Sequence, residues 1–69
     1  MKSIEIDITQ EEKQIVKKLS NGEQAELVGK ELGFSSGTFA NKMKEIRRKY
    51  GCLNTTHLVA YFLREGIIN

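Results

Sequence analysis

The sequence predicts an all-α fold, a four-helix helix-turn-helix domain with a short extended N-terminal arm. Three observations carry this expectation. Apolar residues recur at spacings of three and four in four separate segments. Gly22, Gly33, Gly51 and Gly66 punctuate those segments where helices end. Proline is absent, and a single short stretch alternates at the strand period.

That stretch comes first. From Lys2 to Ile8, Ile4, Ile6 and Ile8 point one way and Glu5 and Asp7 the other. No second strand pattern exists to pair with it. Residues 1–8 therefore read as an extended arm lying on the helices, or as the stub of a linker, and residues 9–69 as the domain.

Thr9 with Glu12 three residues on forms a capping-box pattern. The first helix should run from there to about Ser20. Ile15, Val16 and Leu19 form its apolar stripe, and Asn21-Gly22 stops it. The second helix is expected over roughly Glu23 to Leu32, with Ala25, Leu27, Val28 and Leu32 buried. Gly29 lies inside it at a cost of about 1 kcal/mol against alanine, which suggests close approach of another helix. Gly33 ends this helix, and Phe34 drops into the core.

Ser35 then caps a third helix, with Thr38 three residues on. Phe39, Met43, Ile46 and Tyr50 share one face of it at spacings of four, three and four. Asn41, Lys44 and Arg48 fall on the opposite face, led by Gly37, with Ala40 and Arg47 at one edge. Gly51 closes the helix. Asn54 or Thr55 caps a fourth, in which Leu58, Val59, Phe62 and Leu63 are apolar and Ala60 and Tyr61 widen the stripe. Gly66 ends it, and Ile67 and Ile68 continue its apolar surface. That surface is wider than one side of a small core requires, so Leu58, Val59, Tyr61 and Phe62 are expected to form a dimer interface.

Charge singles out the third helix. Residues 40–50 hold five basic side chains, Lys42, Lys44, Arg47, Arg48 and Lys49, against one acid, Glu45, a balance of +4. The rest of the chain holds six basic residues against eight acids, a balance of −2, so the net charge of +2 conceals a concentrated positive face. Basic surface on one helix is the electrostatic footprint of a nucleic-acid binder, because phosphate contacts release counterions. The plainer reading is a solvated helix face.

Other function classes recede. The chain has 69 residues, enough for one small domain near the lower limit of an unstapled core. A single cysteine allows no internal disulfide and no C-x-x-C pair, which fits a reducing cytoplasm. No apolar run approaches the ~18 residues of a membrane span. His57 is the only histidine and has no Cys or carboxylate at ligand spacing, so a cap-adjacent surface role is expected rather than catalysis. Cys52 reads as a small buried hydrophobe. Glu11, Glu12, Glu23, Glu26 and Glu31 read as solvated helix faces. No enzyme activity, cofactor or metal site is expected.

With these residues in view, the chain resembles the LuxR-type (GerE-type) helix-turn-helix domain of bacterial transcription regulators. The resemblance covers about Ile8 to Ile68 without a gap. Ile8, Thr9 and Glu12 stand for the family's opening Leu-Thr and Glu, and Gly22 for the Gly ending its first helix. Ser35, Thr38 and Phe39 stand for its Ser-x-x-Thr-Val. Ile46, Lys49, Tyr50, Gly51 and Cys52 stand for Ile-x-x-Lys-Leu-Gly-Val. Gly66, Ile67 and Ile68 match its closing Gly and apolar pair.

The resemblance implies a third helix in the major groove of double-stranded DNA, with contacts at Ala40, Asn41 and Lys44, and a fourth helix that dimerises. Three departures bear on affinity and target. Ala40 replaces a frequent Lys, Lys42 replaces His, and Gln24-Ala25 replaces the usual Ser/Asn opening of the second helix.

The candidate DNA-binding set is thus Ser36, Thr38, Ala40, Asn41, Lys42, Lys44, Arg47, Arg48 and Lys49. Asn41 can pair bidentately with adenine, and Lys44 or Arg48 can reach guanine or phosphate. Arg47, Lys42 and Lys49 suit backbone phosphates. Two other readings stand beside this one. One is a small protein-interaction module that pairs with a larger regulator through its fourth helix. The other is a sigma-factor-like region, which uses the same motif and would add RNA polymerase as a partner.

Overall fold

The structure, a computed structural model, describes residues 8–69. It holds four helices: α1 (Gln10–Ser20), α2 (Ala25–Glu31), α3 (Ser36–Tyr50) and α4 (Thr55–Arg64). Apart from Ile8, which is half-buried and packed on the core, the expected arm lies outside the described residues.

Local chemistry sets the helix limits. The Thr9 hydroxyl accepts the Glu12 N–H at 3.1 Å, and the Glu12 carboxylate accepts the Thr9 N–H at 3.2 Å, closing the capping box. Ser35 Oγ accepts the Thr38 N–H at 3.3 Å and donates to Thr38 Oγ1 at 2.8 Å. Asn54 Oδ1 accepts the His57 N–H at 2.8 Å, so Asn54 is the cap of α4. Gly33 (φ +87°) and Gly51 (φ +69°) take the left-handed conformation that turns the chain out of α2 and α3.

The second helix is shorter than expected at both ends. Gln24 is extended and makes no side-chain cap bond, so nothing recruits Glu23 into the helix. Two turns offer only a narrow seam. Val28 and Gly29 are buried, and Leu32 is half-buried. Ala25 and Leu27 are exposed, contrary to the sequence expectation. Ala25 shares the buried face, but at the first turn, where it borders an open groove. Leu27, 52% exposed, borders the same groove. Phe34 is half-buried, packed against the core rather than in it.

Gly29 explains how α2 and α3 come together. A Cβ there would lie 2.6 Å from Phe39 Cγ, so the Phe39 ring sits against the α2 backbone itself. The Phe34 ring stacks on Phe39 at 5.7 Å between centroids, filling the turn. The helix-turn-helix unit is held by this contact together with the Phe34 N–H bond to the Gly29 carbonyl at 2.9 Å.

The core is continuous across all four helices. α1 packs on α2 and α4, and α3 packs on α2 and α4. Ile15 and Val16 of α1, Val28 of α2, Phe39, Met43, Ile46 and Tyr50 of α3, and Leu58 and Phe62 of α4 are buried. Cys52 joins them, and its burial pushes the thiol above its ordinary pKa. Past Gly66 the chain turns back, the Ile67 N–H bonds the Phe62 carbonyl at 2.9 Å, and Ile68 is buried. The tail therefore seals the core through Ile68, while Ile67 stays half-exposed and Asn69 exposed.

Among the described residues no helix is long and apolar enough to cross a membrane.

Candidate functional site

Four buried side chains on one face of α3 determine what its other face presents. Phe39, Met43, Ile46 and Tyr50 are each less than a tenth exposed. At about 100° per residue, the opposite direction carries Gly37, Asn41, Lys44 and Arg48, and all four are exposed. Ser36, Thr38, Ala40 and Glu45 are exposed beside them, and Arg47 is half-buried. Thr38 Oγ1 is engaged with Ser35, so its hydroxyl belongs to the helix start as well as to the surface.

The five basic side chains fall into two groups. Lys44, Arg47 and Arg48 make no ion pair with any described residue. Lys42 and Lys49 leave α3 on its α1 side, and each meets a carboxylate. Lys42 Nζ lies 2.7 Å from Glu11 Oε1, and Lys49 Nζ lies 2.9 Å from Glu12 Oε2. Glu11 holds the Lys42 ammonium above its ordinary pKa, against a smaller opposing effect of burial. Lys42 also stands 5.8 Å over the Phe34 ring.

Glu12 corrects the sequence reading most sharply. It was expected on a solvated face, yet it is 7% exposed. Its carboxylate receives the Tyr50 hydroxyl at 2.5 Å, the Lys49 ammonium at 2.9 Å and the Thr9 N–H. Burial alone would raise its pKa. The bonds from Tyr50, Lys49 and Thr9 outweigh that and hold it below the usual carboxylate value. The start of α1 is thereby tied to the end of α3. The capping box was legible in the sequence; that the same carboxylate would meet Tyr50, 38 residues on, was not.

On the other side of α3 a groove of about 780 Å³ opens toward α2. Gly29, Phe39 and Met43 line it together with Leu27, Phe34 and Ala40, and Lys30 and Arg47 also border it. Lys30 had not been singled out from the sequence. Its position on α2, one residue past the close approach at Gly29, is the signal that could have found it.

The expected dimer surface needs revision. Leu58 and Phe62 are 0% exposed, so they belong to the core and cannot meet a second copy. They are the inward stripe of α4, which packs against both α1 and α3. Tyr61 is half-buried, its ring 5.7 Å from Tyr50 and 6.2 Å from Phe62. Of the four residues, Val59 is the one whose half-exposed side chain borders an open surface, together with Leu19, Thr56, Ala60 and Leu63. Leu63 is 48% exposed. Leu53, in the α3–α4 loop, is 86% exposed and was not anticipated.

His57 sits in the cap of α4. Its backbone N–H donates to Asn54, and its Nδ1 accepts the Leu53 N–H at 3.1 Å. Both groups act on the backbone around the turn, in keeping with a cap-adjacent histidine.

Comparison of the chain with protein-family profiles, with curated proteins and with solved structures finds no match.

Proposed function

We propose that this chain is a DNA-binding transcription regulator that places α3 in the major groove of double-stranded DNA. The observation that carries the reading is the division of α3. One face is anchored by four buried residues, and the opposite face presents Asn41, Lys44 and Arg48, with Arg47 at its edge and, among the described residues, no acid in an ion pair with any of these cations. An anchored helix with exposed donors can combine base readout with phosphate contact. α2 and the four residues before Ser36 supply the lead-in of a helix-turn-helix unit. The LuxR-type resemblance supports the same reading from the residues it matches.

In this reading Asn41, Lys44 and Arg48 face base edges, Arg47 and Lys42 serve the backbone, and Ser36, Thr38 and Ala40 lie at the protein–DNA boundary. A two-fold dimer would pair copies through Val59, Ala60 and Leu63 of α4, the apolar part of that helix left outside the core. That same surface is what favours the second reading, a module that pairs with a larger regulator. RNA polymerase is the further partner a sigma-like role would require.

Fluorescence anisotropy on duplexes selected from a random pool, at two salt concentrations, tests the proposal. Lys44→Ala and Asn41→Ala should each weaken binding to the selected site by about 1–3 kcal/mol. Selection that enriches no sequence, or affinity unchanged by Lys44→Ala, would remove the recognition-helix assignment. It would leave the pairing module as the better account.

A further inference from the structure

Lys42 and Lys49 leave the same edge of α3 and both end on a carboxylate of α1, yet the two contacts differ in kind. The Glu12 carboxylate that holds Lys49 is buried and also receives the Tyr50 hydroxyl and the Thr9 N–H. Removing Lys49 from it would leave a buried charge short of a partner, which is costly. The Glu11 carboxylate that holds Lys42 keeps 44% of its side-chain surface in solvent. Such an exposed pair is weak and screened by salt. A phosphate oxygen offers the same chemistry as that carboxylate: an anionic acceptor for an ammonium with three donors.

We propose that Lys42 is a backbone-phosphate site with a built-in competitor: Glu11 occupies its ammonium in the free protein and yields it to a phosphodiester oxygen of duplex DNA, while Lys49 stays on Glu12. This rests on the DNA-binding reading above and deepens it. The two lysines, alike in the sequence, separate into an exchangeable contact and a structural one.

The geometry supports the exchange on three counts. Lys42 leaves α3 about 100° around the helix from Asn41, at the margin of the exposed face, where a groove-bound helix meets the sugar–phosphate wall. The Phe34 ring lies 5.8 Å from its ammonium, an attraction that adds to that of whichever anion it meets. The other acids that act on it, Glu45 on α3 and Glu12 on α1, do so only at longer range and make no ion pair with it. Among the described residues Glu11 is thus the one anion that must leave. Salt screens the competing Lys42–Glu11 pair, so it offsets part of the salt dependence of the phosphate contact that replaces it.

The test is a double-mutant cycle read by anisotropy on a short labelled duplex across a salt series. Glu11→Gln should tighten binding about threefold to fivefold, the size of an exposed pair. It should also steepen the salt slope by a fraction of one phosphate contact, because salt no longer weakens a competing pair. In a Lys42→Gln background the same substitution should give only the small gain seen with Glu65→Gln, an exposed acid just past α4. Lys49→Gln should lower the melting temperature and leave the salt slope unchanged once binding is measured on folded protein. An equal gain from Glu11→Gln with and without Lys42 would overturn the exchange, as would a salt slope that Lys49→Gln lowers and Lys42→Gln does not. Lys44→Ala and Arg48→Ala in the same assay separate the two levels. If they weaken binding while the Glu11 cycle is flat, the exchange fails and the DNA reading survives. If no variant binds duplex DNA at all, both fail.

Discussion

The two sides of α3 carry residues of the same type with different fates. On the α1 side, Lys42 and Lys49 end on Glu11 and Glu12 at 2.7 and 2.9 Å. On the outward side and the far edge, Lys44, Arg48 and Arg47 make no ion pair with an acid of the described residues. A local formal charge of five basic residues is therefore not a uniform basic surface. The difference teaches that a cation's role is set by the helix that packs beside it. α1 brings two carboxylates into ion pairs with its neighbour, whereas α2 borders an apolar groove with Glu26 and Lys30, neither of them in an ion pair with α3. One edge is closed by charge and the other left open.

The substitution with the largest expected effect removes the comparison altogether. Ile46→Ala empties a fully packed position on the inward face of α3 and should cost about 2–5 kcal/mol, a large part of what so small a domain holds. Both sides of α3 should be lost together in a single thermal transition. An unchanged melting temperature would mean that the inward and outward faces are reversed.

A smaller effect sharpens the closed side. Glu12→Gln leaves Tyr50 and the Thr9 N–H an acceptor but removes the charge facing Lys49, and should cost about 1–3 kcal/mol near neutral pH. Because the folded pKa of Glu12 lies below its ordinary value near 4.5, its ionised form is favoured by folding. That contribution is complete above about pH 4.5 and is lost as pH falls through the lower folded pKa. The gap between wild type and Glu12→Gln should accordingly narrow in acid. Melting curves that keep a constant gap from pH 7 to strongly acidic pH would contradict the pairing.

The smallest effect on stability falls on α4. Leu63→Glu alters a half-exposed side chain and should change stability by no more than about 0.5 kcal/mol. It should nonetheless abolish self-association and tight binding to a two-fold site. Sedimentation at high concentration, with and without DNA, is the check. Wild-type protein that stays monomeric in both would remove the dimer and leave single-site binding.

Much of this was open to a reading of the residues, and the reason is range. A helix start depends on side chains three positions apart. Thr9 with Glu12 and Ser35 with Thr38 were therefore recognisable as caps, and for the last helix Asn54 and Thr55 competed until the Asn54 bond to the His57 N–H decided it. The face that α3 buries depends on a period of four residues or fewer, and Phe39, Met43, Ile46 and Tyr50 are buried as that period requires. Gly29 could be read as a point of close approach because only a missing Cβ explains a glycine inside a helix.

What depended on distant partners could not be read so. Apolar periodicity names the residues able to enter a core but not which of them the neighbouring helices reach. Leu27 and Leu63 stand outside while Leu58 and Phe62 are sealed and Ile68 folds back under α4. Charge type says that Glu12 prefers water unless it is paired. Its partners, Lys49 and Tyr50, lie 37 and 38 residues away. Local sequence thus determined where each helix begins and which way α3 faces, since those are decided within one helical turn. The tertiary structure alone decided which lysines are neutralised and which apolar side chains remain on the surface, because both depend on which helix packs beside which.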